Sequence, residues 1–360
     1  MKNLLIIVGT RPNFIKITQF PKVIANNSGI NLNVLHTGQH HDTNMSKVFF
    51  QQFGFEPDHY LSLESKTPAA AMGEIMIGIE DYANKIKPDL IMVPGDVNST
   101  LAAAITANKL GIPLAHLESG LRSGDRTMPE EINRILTDQI TDLFFVTEQS
   151  GIDHIKKENL QGITHFVGNT MIDTLVAFES EIDNSDIVQK LGLTNKYALM
   201  TMHRPATVDH QQGLEKLSAI IKHITSTMPL VFPIHPRTTK NLQRFGLWDA
   251  FSSINNLKLI EPLDYFAFQK LIKSSAVVVT DSGGIQEETT FRGIPCLTLR
   301  PNTERPSTID LGTNTLTRFD VEEINVLLDA IVQDTYKKGI IPPLWDGHAT
   351  ERVVDVLLKT

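Results

Sequence analysis

Long hydrophobic runs are missing from this chain. The longest apolar stretches, LLIIVG and LIMVPG among them, are strand-sized, and none approaches the ~20 residues that a membrane span requires. No membrane partner is expected. Cysteine is almost absent, with Cys296 the only one in 360 residues. An intrachain disulfide is therefore excluded, and the position of Cys296 inside the apolar run IPCLTL marks it as a core atom and not a nucleophile. Positive charge is in deficit too: the net charge of −8 argues against general nucleic-acid binding, which needs a basic footprint. Any anionic ligand must then be met by a few placed cations. The opening MKNLLIIVGTRP runs straight into a strand and turn, without an extended apolar region or a small-residue cleavage site, and a cytoplasmic location is expected.

What is present is the composition of an ordinary globular protein, 41% apolar and 21% charged. The length exceeds the ~250 to 300 residues at which one core usually stops growing, so two domains are expected. Short β-rich runs alternate with helical patterns, the signature of an α/β protein with parallel strands. In the first half these runs are LLIIV (4–8), LNVLH (32–36), LIMVP (90–94), PLAHL (113–117), LFFVT (143–147) and THFVG (164–168). In the second half they are YALMTM (197–202), LVFPIH (230–235), LKLIE (257–261), AVVVT (276–280) and CLTLR (296–300). Both halves read as Rossmann-like, with the boundary near VGNTMIDTL. Neither carries G-x-G-x-x-G after its first strand, so no dinucleotide cofactor is indicated. Open α/β sheets bind ligands at the carboxyl ends of their strands, and two such domains facing each other would put the site in the cleft between them. The residues that follow each strand are the candidates.

After the first strand, GTRPNFIK offers Arg11 and Lys16, a planar donor and a point charge suited to phosphate or carboxylate; a solvated helix start explains them equally well. GDVNST offers Asp96, and HLESGLRSGDRTMPEEINR offers Glu118. Thr127 and Glu130, with Pro129 between them, fit a capping box, although a helix start near these strand ends could bring Glu130 to the same place. Three converging carboxylates would suit proton transfer, since burial and mutual repulsion raise at least one pKa towards neutrality. His203 and His235 also end strands, and either could donate to a diphosphate or act as acid or base. Neither lies in a metal-ligand spacing, so no metal is expected. In TDSGGIQEE, Ser282, Gly283 and Gly284 form a helix start suited to phosphate; a Ser N-cap before a glycine-rich turn explains all but the carboxylates beyond it.

GTRPNFIK, HTGQH, GDVNST, HLESGLRS with MPEEINR, the HRP and HPRT strand ends, TDSGGIQEE and TERP together resemble the non-hydrolysing UDP-N-acetylglucosamine 2-epimerase family, in order from residue 9 to about 312. The resemblance implies two Rossmann-like domains facing across a cleft, as in GT-B glycosyltransferases. The N-terminal domain would cover residues 1–168, joined by a C-terminal helix at 346–360, and a UDP-binding domain residues 169–345. It implies inversion of C2 of UDP-N-acetylglucosamine to give UDP-N-acetylmannosamine for surface polysaccharides, by elimination of UDP and its re-addition to 2-acetamidoglucal, without NAD or an essential metal. A homodimer is implied as well. By motif match Asp96, Glu118 and Glu130 are the acid/base carboxylates. His203, counted with the catalytic groups, would hold the sugar and diphosphate together with Arg11, Lys16 and Arg305, while Arg134 and His235 support the cleft. Glu288 would take the ribose hydroxyls beyond the phosphate cradle; Glu287, about 100° around the helix, is read as structural.

Several positions depart from the family pattern. Asn13 replaces the acidic residue of GTRPE, and Ser119 the alanine of EAG. Gln39 and His40 match a region that forms a second, allosteric substrate site in well-known members, whereas His41 and Asp42 differ from the pair often found there. The opening also resembles that of relatives acting on UDP-2,3-diacetamido-glucuronic acid, which leaves that sugar as an alternative. A hydrolysing epimerase, a GT-B glycosyltransferase and a non-catalytic UDP-sugar sensor are the other rivals.

Overall fold

The computed structural model describes residues 1–27, 29–39, 50–65, 67–194 and 196–360. The chain divides into two compact units, Met1–Ala177 with Pro343–Thr360, and Phe178–Pro342.

The first unit is built on strands β1 (Lys2–Val8), β2 (Ile30–His36), β3 (His59–Tyr60), β4 (Leu90–Pro94), β5 (Leu114–Leu117), β6 (Leu143–Val146) and β7 (Ile163–Phe166). Their order is β3-β2-β1-β4-β5-β6-β7, and every described pairing is parallel. A parallel sheet is covered on both faces, so its inner strands are apolar throughout and do not alternate; β4, LIMVP, is buried at every position. On one face Leu5, Ile7, Ile91 and Val93 pack with Ile75, Ile79 and Ala83 of the helix Pro68–Ile86 and with Ala102, Ala103, Ala104 and Ala107 of the helix Asn98–Leu110. The alanine face lets that helix approach the sheet closely.

The carboxyl-terminal segment also belongs to this unit. Trp345 is 1% exposed, and its indole Nε1 donates to the Thr147 carbonyl at 2.9 Å. The final helix, Ala349–Lys359, has His348 at its N-cap without a side-chain cap bond. Asp173, from the helix Thr170–Ala177, takes over that role: its carboxylate accepts from the amides of Ala349 (3.1 Å) and Thr350 (2.5 Å). Burial raises the Asp173 pKa despite these amides.

The second unit contains β8 (Ala198–Thr201), β9 (Leu230–Pro233), β10 (Leu257–Ile260), β11 (Val277–Thr280), β12 (Cys296–Thr298) and β13 (Asn314–Leu316), ordered β10-β9-β8-β11-β12-β13 and again parallel in every described pairing. The period of two along β11 is plain: Val277 and Val279 join Leu217, Ile220 and Leu328 on one face, while Val278 joins Leu271 and Ile272 on the other. Cys296 is fully buried in β12, and burial pushes its thiol up to about 11, as suits a core atom.

In both sheets the strand order reverses beside the first strand, between β1 and β4 and between β8 and β11. Such switch points are where α/β sheets take ligands. Every strand read from the sequence is present, shifted by a residue or two at the ends. The edge strands β3 and β13 were not anticipated. Replacing Asp173 with alanine strips the last helix of both amide acceptors and should cost about 1–3 kcal/mol. Denaturant unfolding should show a lowered midpoint; an unchanged midpoint would contradict this capping role.

Candidate active site

In the first unit, the groups of interest follow β1, β4 and β5. Asn13 anchors the turn after β1: its Oδ1 accepts from the Thr10 hydroxyl at 3.0 Å, and its Nδ2 donates to the Pro94 carbonyl at 3.0 Å. The turn after β1 is thus tied to the end of β4. Lys16, at the C-cap of the short helix Arg11–Ile15, forms an ion pair with Glu118 in which both side chains are almost fully buried. Glu118 itself has φ 70°, unusual for a residue with a side chain. Gly95 lies against this pair, since a Cβ there would stand 2.9 Å from Lys16 Nζ and 3.1 Å from Asn13 Nδ2. Any side chain at residue 95 would displace the buried ammonium.

The neighbouring carboxylate, Asp96, is a quarter exposed and pairs with Arg134 Nη1. Arg134, on the helix Pro129–Gln139, also donates to Glu131 Oε2 from Nε (3.1 Å) and Nη2 (2.8 Å). Burial would raise the pKa of Glu131, but the Ser123 and Gly124 amides, each at 2.9 Å, and the Arg134 guanidinium outweigh it and hold the carboxyl below its usual range. Asn133 completes this side by donating to the Asp96 carbonyl at 2.9 Å. Gln39, after β2, accepts from both the amide and hydroxyl of Ser99 at 3.1 and 2.6 Å; His40 lies outside the described residues.

Two expectations need correction here, the Thr127–Glu130 capping box and the mutual repulsion of the carboxylates. Glu130 is exposed on the first helical turn, and the carboxylate that joins Arg134 is its neighbour Glu131. The N-cap is Met128 and not Thr127, because Thr127 bonds to Asp125 Oδ1 through both its amide (3.0 Å) and its hydroxyl (2.6 Å), so no Thr127–Glu130 capping box forms. Asp96 and Glu118 also do not sit as a repelling cluster. Each is paired with its own cation, Asp96 with Arg134 and Glu118 with Lys16.

In the second unit, His203 follows β8 and Asp281 follows β11. His203 Nδ1 lies 3.0 Å from Asp281 Oδ1, and Asp281 Oδ2 accepts from the amides of His203 (2.9 Å) and Arg204 (2.8 Å). Burial would push Asp281 up, but His203 and the two amides hold it below its usual range. His203 thus offers Nε2 from a ring fixed by a buried carboxylate, its side chain 43% exposed. His235 stacks obliquely on it, with ring centroids 5.7 Å apart. His235 is the N-cap of the helix Pro236–Arg244, where its Nδ1 accepts from the Arg237 amide at 3.1 Å. Burial, His203 and Arg237 lower its pKa against the pull of Asp281, and with Nδ1 accepting the amide the ring proton is on Nε2.

The helix Gly283–Arg292 opens with Ser282 at the N-cap, without a side-chain cap bond. A Cβ on Gly283 would meet Glu304 Oε1 at 2.7 Å and Arg305 Nη1 at 3.0 Å, so the glycine is what lets this helix start, with Gly284 next in its first turn, lie directly over Arg305. Arg305 is buried between Glu304 and Glu287, with Nε 2.8 Å from Glu287 Oε2; Arg300 pairs with Glu304 at 2.9 Å. Glu287 is accordingly a structural partner of Arg305. Glu288, one residue on, is 5% exposed. Burial pushes it up to about 7, against the nearby Gln269 amide and the charge of Arg292, and it in turn helps burial raise the pKa of Tyr265.

A family model described as UDP-N-acetylglucosamine 2-epimerase matches residues 22–358. The chain belongs to that family. A UDP-N-acetylglucosamine 2-epimerase of Methanococcus maripaludis is 36% identical over 98% of this chain and 97% of its own length. A UDP-2,3-diacetamido-2,3-dideoxy-D-glucuronate 2-epimerase of Pseudomonas aeruginosa is likewise 36% identical, over 99% of each chain. Among solved structures, a Methanocaldococcus jannaschii UDP-GlcNAc 2-epimerase in complex with UDP-GlcNAc and UDP superimposes with a TM-score of 0.90 at 35% identity, covering 99% of this chain and 100% of the other.

As a member of this epimerase family, the protein is an isomerase. Among the described residues, no helix is long and apolar enough to cross a membrane, and no group of three or more His, Cys, Asp or Glu side chains could hold a metal ion. Asp281, Glu131 and Glu304 were not singled out in the sequence, although each stands inside a motif quoted there. The signal was the acid itself: a carboxylate at a buried strand or helix end needs a partner. Glu288 supplies a pH test. Its folded pKa, about 7, lies above its unfolded value, so its stabilising contribution is fully present below pH ~4.5 and is lost as pH rises through about 7, to the extent of roughly 3 kcal/mol. Glu288→Gln should therefore remove part of the fall in unfolding free energy between pH 5 and 8; an identical fall in the variant would contradict this.

Proposed function

We propose that the protein is a non-hydrolysing 2-epimerase that interconverts UDP-N-acetylglucosamine and UDP-N-acetylmannosamine, a precursor of surface polysaccharides. The observation that carries this reading is the pair of carboxylates at the ends of adjacent strands β4 and β5, each held by its own cation: Asp96 by Arg134 and Glu118 by Lys16. The C2 proton has no adjacent carbonyl to acidify it, so its removal must accompany departure of the UDP group from C1. One carboxylate accepts the proton as the C1–O bond breaks, giving 2-acetamidoglucal and UDP. In re-addition, a β-phosphate oxygen of UDP bonds to C1 and a carboxylic acid returns a proton to the opposite face of C2. A UDP-sugar is both substrate and product.

Glu130, whose exposure on the first helical turn leaves its carboxylate open to a substrate, joins Asp96 and Glu118 in this scheme as the third acid/base group. Stabilisation of the leaving diphosphate is assigned to the His203 and His235 rings, the Ser282–Gly284 helix start, Arg305, Arg11 and Lys16. Such placed donors are typically the largest single contribution to catalysis. Glu288 is assigned to the ribose hydroxyls; its near-neutral pKa lets it donate as well as accept. The enzyme works as a cytoplasmic homodimer in this proposal, and Gln39 with His40 belongs to a second site for the substrate. The equal identity to the P. aeruginosa relative supports UDP-2,3-diacetamido-glucuronic acid as the alternative sugar.

Incubation with UDP-N-acetylglucosamine in deuterium oxide, followed by NMR, tests the reaction. Deuterium at C2 and formation of UDP-N-acetylmannosamine are expected, with UDP largely retained on the sugar. Release of free sugar would indicate a hydrolase, and exchange only with the diacetamido-uronate would change the sugar. Tight UDP binding without exchange of either sugar would leave a transferase or a sensor. In the same assay Asp96→Asn should lower C2 exchange by about 10²- to 10⁴-fold while UDP affinity stays within a few-fold; exchange at the wild-type rate would remove Asp96 from its role.

A further inference from the structure

Beneath the ends of β4 and β5 lies a second charge pair that makes none of the assigned contacts with substrate. His116, in β5, and Asp138, on the helix Pro129–Gln139, are both fully buried. His116 Nδ1 is 2.7 Å from Asp138 Oδ1, and His116 Nε2 is 2.8 Å from the carbonyl oxygen of Gly95. The other carboxylate oxygen, Asp138 Oδ2, accepts from the Gly120 amide at 3.1 Å and from Arg122 Nη1 at 2.6 Å. Arg122 is itself tied to Glu158 at 2.8 Å.

Hydrogen-bond accounting fixes the protons of this ring. The Gly95 carbonyl can only accept, so Nε2 must donate to it. Asp138 Oδ2 already accepts from an amide and from the Arg122 guanidinium, the donor set of an ionised carboxylate, so Oδ1 accepts too and Nδ1 must donate as well. A ring that donates from both nitrogens is an imidazolium. Its cost in a buried place is offset by an ionised partner at hydrogen-bond distance.

The anchored atoms sit next to the proposed acid/base groups. Gly95 precedes Asp96, and its carbonyl is held by His116. Gly120 lies two residues after Glu118, and its amide is held by Asp138. Both turns leave their strands through left-handed backbone, with φ 67° at Gly95, 70° at Glu118 and 77° at Gly120, and the His116–Asp138 pair adds side-chain anchors to their backbone bonds. We propose that His116 is a positioning residue whose imidazolium, clamped by Asp138, locks the turns after β4 and β5 together and so fixes the relative places of Asp96 and Glu118 for proton transfer. This rests on the roles proposed for those two carboxylates.

The test combines kinetics with a spectroscopic signature. His116→Asn should lower kcat for epimerisation by about 10²-fold, the scale of a misplacement of about 1 Å in a reacting group, while KM and UDP affinity change less than about threefold. An unchanged kcat, or a loss shared equally by KM and UDP affinity, would overturn the proposal. Should the variant fail to fold, nitrogen NMR of wild-type protein labelled at histidine decides: one buried ring with protons on both nitrogens is expected, and a neutral single tautomer at His116 would overturn it. Absence of epimerisation by the wild-type enzyme would instead sink the proposed function, with the NMR result still reporting on the clamp.

Discussion

A charge buried at the end of a strand must be compensated within a few ångströms, and this constraint organises both units. Parallel sheets place the carboxyl ends of their strands at one edge, where the chain turns into helices and polar side chains collect. Those side chains are largely enclosed, so unpaired carboxylates there would cost several kcal/mol each. The protein meets the demand in pairs and chains: Glu118 with Lys16, Asp96 with Arg134 and Glu131, Asp138 with His116 and Arg122, Asp281 with His203, and Glu287 with Arg305, Glu304 and Arg300.

The pairing has chemical consequences. A carboxylate beside a fixed cation is held in place, which suits a group proposed to accept a proton from carbon in one fixed direction. A histidine against a buried carboxylate presents its remaining nitrogen in a fixed orientation. Glu288 is the contrasting case: buried beside Gln269 and Tyr265, it sits near neutrality, the state suited to exchanging hydrogen bonds with hydroxyls. In the proposed function, anion and hydroxyl recognition are thus separated along one helix, with Gly283 at its start and Glu288 more than one turn later.

Much of the fold was legible because inner parallel strands are continuous apolar runs of distinctive length. LIMVP at 90–94 coincides with β4. Two edge strands were not legible: β3 has two residues and β13 three, too few to show a pattern. Within the candidate site, strand-end position led to Asp96, Glu118 and His203 and the family resemblance to Arg305, yet PEE does not disclose which glutamate turns inward. Glu130 and Glu131 differ by about 100° around the helix, and only packing against Arg134 and the Ser123–Gly124 turn selects the second. His116 was hidden for another reason. In LAHL it reads as one polar residue in an apolar strand, and its partners, Gly95 and Asp138, come from distant parts of the chain.

The central proposal, that the C1–O bond of a UDP-sugar is broken and remade during epimerisation, is tested most directly by positional isotope exchange. UDP-N-acetylglucosamine carrying a heavy-oxygen label in the bridge between C1 and the β-phosphate would be incubated with the enzyme and the label located by phosphorus NMR. Elimination and re-addition predict that the label spreads into the non-bridging β-phosphate oxygens as epimerisation proceeds. Epimerised product that keeps all of its label in the bridge would contradict the account.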